Sequence, residues 1–190
     1  MALGSKARKE KATLNESQLY EYAVKALGRH MRTEVELRRL MQQRAEFGDR
    51  GEAAIAAVVA KLKEQRYLDD QSYAETYARL RQQNEKLGER RVRRDLAQKG
   101  LKAELIDETV EARYGATNEE TLARQHLERK RIKKPENERE TARVMRRLVA
   151  AGFATGTIYK ILRRWDVPEE TLTALDNLAA EDVGEHSPEE

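Results

Sequence analysis

The chain has 190 residues, of which 37% are charged and only 5% are aromatic, and it contains no cysteine. This composition excludes a disulfide framework and a thiolate zinc site, and it disfavours a wide, deep hydrophobic core. The net charge is +3, but residues 181–190 hold five acids and no base, which leaves +8 on residues 1–180. A basic body of this kind attracts polyanions or acidic protein surfaces.

Taken in chain order, apolar residues recur at three- and four-residue spacing, and strand-like alternation is nearly absent. This pattern predicts an all-α fold. The apolar stripes that mark the successive helices are Leu19, Ala23 and Leu27; Leu37, Leu40 and Met41; Ile55, Val58 and Leu62; Tyr73, Tyr77 and Leu80; Val92 and Leu96; Ile106, Val110 and Tyr114; Leu122 and Leu127; Val144 and Leu148; and Ile158, Ile161 and Leu162. Capping-box spacing marks three helix starts, at Thr13 with Glu16, Thr33 with Glu36, and Thr117 with Glu120.

An internal repeat is visible in the second half of the chain. RDLAQKGLKAELIDETV, which begins at residue 94, resembles RRLVAAGFATGTIYKIL, which begins at residue 146. The alignment pairs Leu96 with Leu148 and Gly100 with Gly152, and we expect both glycines to have a structural role at a helix end.

The first part of the chain carries a longer version of the same unit. RRLMQQRAEFGDRGEAAIAAVV, residues 38–59, aligns through Leu40 but has a five-residue insertion before Ile55. The conformation of residues 42–54 is therefore not predicted. Because a unit of three short helices buries little surface alone, we expect neighbouring units to pack end to end, as an elongated tandem array of three three-helix repeats. The predicted segments are a disordered N-terminus at 1–13, repeats at 14–66, 67–115 and 116–168, a short helix at 169–180 and a disordered acidic tail at 181–190.

The stretch RYLDDQSYAETYARLR, residues 66–81, places two aspartates beside two tyrosines. Asp69 and Asp70 are adjacent, so they do not form a facing acid and base, and we interpret them as the start of a helix. Tyr73 and Tyr77 share a helical face and are interpreted as core residues rather than base-stacking platforms. Arg81 is expected to be structural and to hold one of the two aspartates.

The sequence lacks the usual signatures of catalysis and metal binding. The histidines His30, His126 and His186 are scattered, and we expect them at the surface or at boundaries. No phosphate-binding loop, nucleophile elbow or zinc-protease motif occurs. We therefore expect no enzyme activity, no metal and no cofactor.

Clusters of basic residues are the stronger functional signal. Between Arg79 and Lys102 nine bases face three acids. Arg90, Arg93 and Arg94 have the spacing of a shared helical face, which can meet a row of phosphates or carboxylates. The alternative is a solvated face with local salt bridges. The candidate binding residues are Arg32, Arg38, Arg39, Arg79, Arg90, Arg91, Arg93, Arg94, Lys99, Arg143, Arg146 and Arg147.

Two of these stretches carry a resemblance to a known family. YLDDQSYAETYARLR followed by GERRVRRDLAQKGL resembles the signature of the RecX family, and MRTEVELRRL upstream resembles that family's R-[ST]-x-x-E-L motif. The glycine–aromatic turn that the family has after the Leu40 helix is replaced here by QQRAEFGDRGEAA, and Arg66 stands where a glycine is usual.

The resemblance implies a regulator that inhibits the RecA recombinase. Such proteins bind the RecA filament on single-stranded DNA, lie along its groove and suppress ATP hydrolysis and strand exchange, which modulates recombination and DNA repair. The implied partners are the RecA nucleoprotein filament and DNA, single-stranded or duplex, bound weakly and without sequence preference. On this basis we expect a monomer.

No apolar run approaches the length of a membrane span, and MALGSKARKEKATLN lacks the apolar stretch of a secretory signal. We expect a soluble, cytoplasmic protein without a membrane partner.

A sequence-specific transcriptional regulator is the alternative function. GFATGTIYKILRR, residues 152–164, superficially resembles the second half of a helix-turn-helix. Leu148 argues against this interpretation, because that motif usually has a small residue four positions before the turn glycine.

Overall fold

The computed structural model describes residues 13–173, and its regular elements are helices. Their bounds are α1 Glu16–Leu27, α2 Glu34–Gln42, α3 Asp49–Glu64, α4 Asp70–Glu85, α5 Glu89–Gln98, α6 Ala103–Tyr114, α7 Glu119–Arg129, α8 Glu138–Ala150 and α9 Thr155–Arg164. Helix resumes at Glu169 and continues to the last described residue. The predicted all-α class is therefore confirmed. The predictions for residues 1–12, for 174–180 and for the acidic tail lie outside the described residues.

The chain divides into two compact units. Unit 1 runs to Ala74 and also includes Gln98–Lys102, whereas unit 2 comprises Glu75–Ala97 and the chain from Ala103 onward. The predicted repeat boundaries are not the boundaries of these units, and the three repeats stay a prediction.

Unit 1 is built on α1, α2 and α3, which enclose a continuous apolar core. Its fully buried members are Leu19, Ala23, Leu37, Met41, Ile55, Val58, Val59, Leu62 and Leu68. The capping box predicted for α2 is confirmed, since Thr33 accepts from the backbone N–H of Glu36 and the Glu36 side chain accepts from Thr33. The box predicted for α1 is wrong by two residues, because Asn15 and Gln18 form it instead.

The inserted segment of unit 1 forms a short loop before α3. The N–H of Leu14 donates to the carbonyl of Arg44 at 2.7 Å, in a single parallel bridge that holds the loop against the start of the chain. Gly48 has φ of +90°, a left-handed conformation that glycine adopts without strain, and α3 begins directly after it.

The core of unit 2 is formed by α6 to α9, by the parts of α4 and α5 that belong to this unit, and by the helical residues from Glu169 onward. Phe153, Leu96, Leu148 and Ile158 are among its fully buried side chains. Asn118, rather than the predicted Thr117, caps α7 by accepting from the N–H of Thr121 at 2.9 Å.

His126 of α7 is buried, which contradicts its predicted surface position. Its Nδ1 lies 3.1 Å from the carbonyl oxygen of Glu85, and its ring meets Phe153 edge-on at 5.7 Å between ring centroids. Burial lowers the pKa of this imidazole.

Two glycines allow the backbones of α5 and α8 to meet closely. A Cβ on Gly88 would lie 2.4 Å from the carbonyl oxygen of Gly152, and a Cβ on Gly152 would lie 2.2 Å from the backbone nitrogen of Arg91. Gly152 also has φ of +91°. Any side chain at either position would force the two helix ends apart.

Gly152→Ala is predicted to lower the free energy of unfolding by about 2 kcal/mol or more, through left-handed strain and the clash with Arg91. Gly156→Ala in the same unit is the matched control, because a Cβ added there would meet no other part of the protein within 4 Å. Alanine there should leave stability unchanged or raise it by up to about 1 kcal/mol. Urea denaturation would measure the free energy of unfolding of both variants. Equally small effects in the two would contradict the close contact.

Mild acid is predicted to destabilise unit 2 through His126. Because its folded-state pKa lies below the usual value of about 6.5, stability is fully present above that value and is lost as pH falls through the folded-state pKa. Urea midpoints at about pH 7.5 and about pH 5.5 should differ more for the native sequence than for His126→Gln. Equal differences in the two proteins would refute the contribution of this histidine.

Candidate interaction surface

Seven of the twelve predicted binding residues are exposed arginines without an ion pair among residues 13–173. They are Arg39, Arg79, Arg90, Arg94, Arg143, Arg146 and Arg147. We call these the free arginines. The other five predicted residues are at least partly buried, and four of them make ion pairs or hydrogen bonds within the protein.

In unit 1 two of the four predicted basic residues have internal partners. Arg38 Nε donates to Glu34 at 2.7 Å, and Lys99 Nζ donates to Glu36 at 2.9 Å while lying 5.6 Å from the centre of the Tyr73 ring. Burial alone would lower the pKa of Lys99, but its contacts with Tyr73 and Glu36 outweigh burial and raise it.

The other two predicted basic residues of unit 1, Arg32 and Arg39, differ in their exposure. Arg32 is half-buried, and its buried Nε has no hydrogen-bond partner within the described part of the chain. Arg39 is exposed near the end of α2. Of the predicted binding residues in unit 1, Arg39 is therefore the one best placed for a partner.

On α5 the structure separates the arginines that the sequence grouped together. Arg93 pairs with Glu89 at 2.7 Å and also with Asp107, whereas Arg91 pairs with Asp95 at 2.8 Å. Arg90 and Arg94, one helical turn apart, remain exposed. The predicted face of Arg90, Arg93 and Arg94 is thus reduced to its two outer members.

On α8 the three predicted arginines share one exposed face. Arg143, Arg146 and Arg147 have i, i+3, i+4 spacing. Arg139, four residues before Arg143, is exposed as well and extends the same row. The four-residue spacing between Arg139 and Arg143 could have predicted this, but Arg139 was not among the candidate binding residues.

Backbone hydrogen bonds join the first turn of α5 to the last turn of α8. The N–H of Gly88 donates to the carbonyl of Ala151 at 2.8 Å, and that of Arg90 donates to Gly152 at 3.3 Å. Arg91 Nη1 donates to the carbonyl of Ala150 at 3.3 Å. These bonds bring the start of α5, which carries Arg90, close to the end of α8, which carries Arg146 and Arg147, while Arg143 and Arg139 continue the row back along α8. We call Arg90, Arg94, Arg139, Arg143, Arg146 and Arg147 the α5–α8 basic surface.

Unit 1 contains a similar contact between helix ends. Thr33 Oγ1 donates to the carbonyl of Lys99 at 2.7 Å, and a Cβ on Gly100 would lie 2.7 Å from the Cβ of Val35. Gly100 has φ of +82°, as its aligned partner Gly152 has +91°. The aligned glycines thus occupy equivalent places at helix ends.

Asp69 and Asp70 have different surroundings, and neither is arranged as a catalyst. The Asp69 carboxylate accepts from the N–H groups of Gln71 at 2.9 Å and Ser72 at 3.0 Å, and the bond from the Ser72 backbone is the main reason that its pKa is lowered. Asp70 accepts from the N–H of Glu34 at 2.9 Å, and burial raises its pKa. Asp69 therefore caps α4, and Asp70 caps the start of α2.

The aromatic residues of α4 pack inside the protein. Tyr73 is buried, and the half-buried Tyr77 donates its hydroxyl to Asp95 at 3.1 Å. Arg81 lies 4.7 Å from the centre of the Tyr77 ring and pairs with Glu85, instead of with an aspartate at the start of α4. Leu80, grouped with the tyrosines in the sequence, is 41% exposed.

Within residues 13–173 no group of three or more His, Asp or Glu side chains is placed to hold a metal ion. Nor does any helix in that range have the length and apolar character needed to cross a bilayer.

Comparison with known proteins gives consistent matches. Residues 69–110 match the family model described as RecX, second three-helix domain. The chain is 24% identical over 164 residues to the regulatory protein RecX of Oceanobacillus iheyensis, a match covering 85% of this chain and 58% of that protein. It is 29% identical over 146 residues to that of Mycolicibacterium vanbaalenii, covering 75% and 77%, respectively. With that of Deinococcus radiodurans it is 36% identical over 95 residues, covering 50% and 43%.

Two solved structures have a similar fold. The crystal structure of RecX from Lactobacillus salivarius has a TM-score of 0.61 and 21% identity, over 80% of this chain and 96% of that one. A second crystal structure, of a regulatory protein RecX, has a TM-score of 0.62 and 22% identity, over 78% and 71%. The sequence comparisons support the family that the motifs predicted, and the two solved structures show a shared fold.

Arg91→Gln is predicted to lower the free energy of unfolding by about 1 kcal/mol, because the side chain bonds both Asp95 and the end of α8. Arg90→Gln, the neighbouring control, should change it by less than about 0.5 kcal/mol, since its side chain is exposed. Chemical denaturation of the two variants would test the division between paired and free arginines. A larger loss for Arg90→Gln would reverse that assignment.

Proposed function

We propose that this chain, which belongs to the RecX family, inhibits the RecA recombinase by binding the RecA filament on single-stranded DNA. It would lie along the groove of that filament and suppress ATP hydrolysis and strand exchange. Through that inhibition it would modulate recombination and DNA repair. The partner RecA and this mode of action are what the resemblance to the RecX family implies.

The α5–α8 basic surface is the observation that supports the proposal most. Its six arginines are exposed, and none has an ion-pair partner in the described part of the chain, so their guanidinium groups remain available to a partner. Guanidinium groups bind phosphates and carboxylates with two parallel hydrogen bonds. Both the DNA of a filament and acidic patches on its protein subunits present such groups.

Further free arginines can add to binding without forming a single strong site. Arg79 on α4 and Arg39 on α2 are exposed on other helices. A filament repeats the same surfaces many times, so weak contacts made by one chain act together through a high effective concentration. Binding of this kind should weaken steeply with salt.

We further propose that the protein acts by binding alone and is not an enzyme. Asp69 and Asp70 are engaged as helix caps by separate backbone N–H groups. A general acid and base need geometry that brings both to one reacting group. Occupying the groove of the filament would be sufficient to hinder the motions of ATP hydrolysis and strand exchange.

Helix α9 gives little support to the alternative of a sequence-specific transcriptional regulator. A recognition helix contacts base edges through its N-terminal residues. Here the Glu119 carboxylate occupies that end of α9, accepting from the N–H of Ala154 at 2.8 Å and also from the Thr157 hydroxyl. A fixed carboxylate at this position would repel the DNA backbone. Competition between duplexes of different sequence would separate the proposals, because a transcriptional regulator prefers one of them.

The combined variant Arg90→Glu with Arg94→Glu is predicted to raise the concentration needed for half-inhibition of RecA ATPase activity by about tenfold or more. Both positions are exposed, so the fold should be retained. Arg29→Glu with Lys160→Glu is the matched control, because it makes the same charge change at exposed positions outside the α5–α8 basic surface.

The control variant should stay within about twofold of the native protein. Undiminished inhibition by the Arg90 and Arg94 variant would exclude these residues as the contact. If the native protein leaves both ATP hydrolysis and strand exchange unchanged at saturating concentration, the proposed function itself is wrong.

A further inference from the structure

The loop before α3 presents Phe47 entirely to solvent, with a relative exposure of 103%. A single exposed apolar side chain is common on soluble proteins and needs no explanation by itself. Phe47 differs because the backbone around it is fixed, because the turns after the equivalent helices α5 and α8 bury their apolar residue, and because the flanking charges select a kind of partner.

Backbone contacts hold the loop on both sides of Phe47. Before it, the N–H of Ala45 donates to the carbonyl of Met41 at 2.8 Å, and Leu14 bonds to Arg44 at 2.7 Å. After it, the N–H of Gly51 donates to the carbonyl of Gly48 at 3.0 Å. Gly51 also packs so tightly that a Cβ there would lie 1.8 Å from the carbonyl oxygen of Glu46. Because the backbone around Phe47 is held in place this way, binding has to order little more than the side chain itself.

The turns that follow the equivalent helices α5 and α8 bury their apolar residue. Leu101 follows Gly100 and is 7% exposed, and Phe153 follows Gly152 and is 1% exposed. In the first unit the order is reversed, with Phe47 before Gly48, and five residues are inserted. The core of unit 1 is nevertheless closed, with Leu37 and Met41 wholly buried. The fold therefore does not need Phe47.

The charges beside Phe47 favour a protein partner over a nucleic acid strand. Glu46, Asp49 and Glu52 are exposed and have no ion pair within residues 13–173. The nearby Arg44 lies 5.6 Å from the centre of the Tyr22 ring, which leaves Arg50 as the exposed base of the segment. An excess of acids repels phosphates but complements basic side chains around an apolar pocket.

We propose that Phe47 is an anchor residue that inserts into an apolar pocket rimmed by basic side chains on a partner protein. Exposed, preorganised aromatic side chains are frequent anchors at protein interfaces. The inference rests on the proposed function in that the partner is a protein component of the RecA filament. It places a second contact in unit 1, with chemistry opposite to that of the α5–α8 basic surface.

The test compares Phe47→Ala with the native protein on two probes, the RecA filament assembled on single-stranded DNA and the same DNA without RecA. Phe47→Ala is predicted to weaken filament binding by about tenfold or more and to leave binding to bare DNA within about twofold. Its urea midpoint should be unchanged, because the side chain makes no packing contact. Met31→Ala, at another exposed apolar position in unit 1, is the control and should bind the filament like the native protein.

Three other outcomes of this binding test would each overturn a different part of the proposal. Native-like filament binding by Phe47→Ala overturns the anchor and leaves the proposed function standing. An equal loss on bare DNA overturns the protein pocket and indicates that the ring contacts the strand. Failure of the native protein to bind the filament overturns the proposed function, and the anchor with it.

Discussion

The close backbone contact between α5 and α8 is the constraint on which the candidate surface depends. Gly88 and Gly152 carry no side chain, so the N–H of Gly88 can reach the carbonyl of Ala151 at 2.8 Å. The contact satisfies carbonyl groups that the end of a helix leaves without intrahelical partners. It also fixes where the arginines of the two helices lie. Through it, Arg90 at the start of α5 lies near the end of α8 that carries Arg146 and Arg147.

Pairing inside the protein then decides which arginines can bind a partner. Arg91 and Arg93 make ion pairs with acids on α5 and α6, and Arg91 also bonds the end of α8. Their neighbours Arg90 and Arg94 are exposed. One basic helix thus performs two tasks, since one set of its guanidinium groups stabilises the packing and the other remains available. Exposed ion pairs add little to stability, so the half-buried bonds of Arg91 matter more than the number of charges.

Much of this arrangement could be predicted from the sequence. The apolar stripes indicated the helices correctly, and the alignment of Gly100 with Gly152 anticipated their shared left-handed conformation. The motifs around Asp69 and Gly88 indicated the family that the comparisons support. These features depend on local spacing, which a sequence displays directly.

The remaining features depend on contacts between distant residues. The i, i+3, i+4 rule put Arg93 on a binding face, but it could not indicate that Asp107 would approach from α6. The burial of His126 follows from the position of Phe153, which is 27 residues away in the chain. The inserted loop carries no periodicity, so the exposure of Phe47 became visible only once the bridge from Leu14 was known.

We propose that the free arginines, and not the paired ones, contact the RecA filament. Residue-resolved chemical modification with an arginine-selective dicarbonyl reagent, with and without a saturating RecA filament, would test it most directly. Arg90, Arg94, Arg143 and Arg146 are expected to react in the isolated protein and to become protected in the complex, while Arg93 is expected to react slowly in both. Full reactivity of the four free arginines in a chain bound to the filament would contradict it.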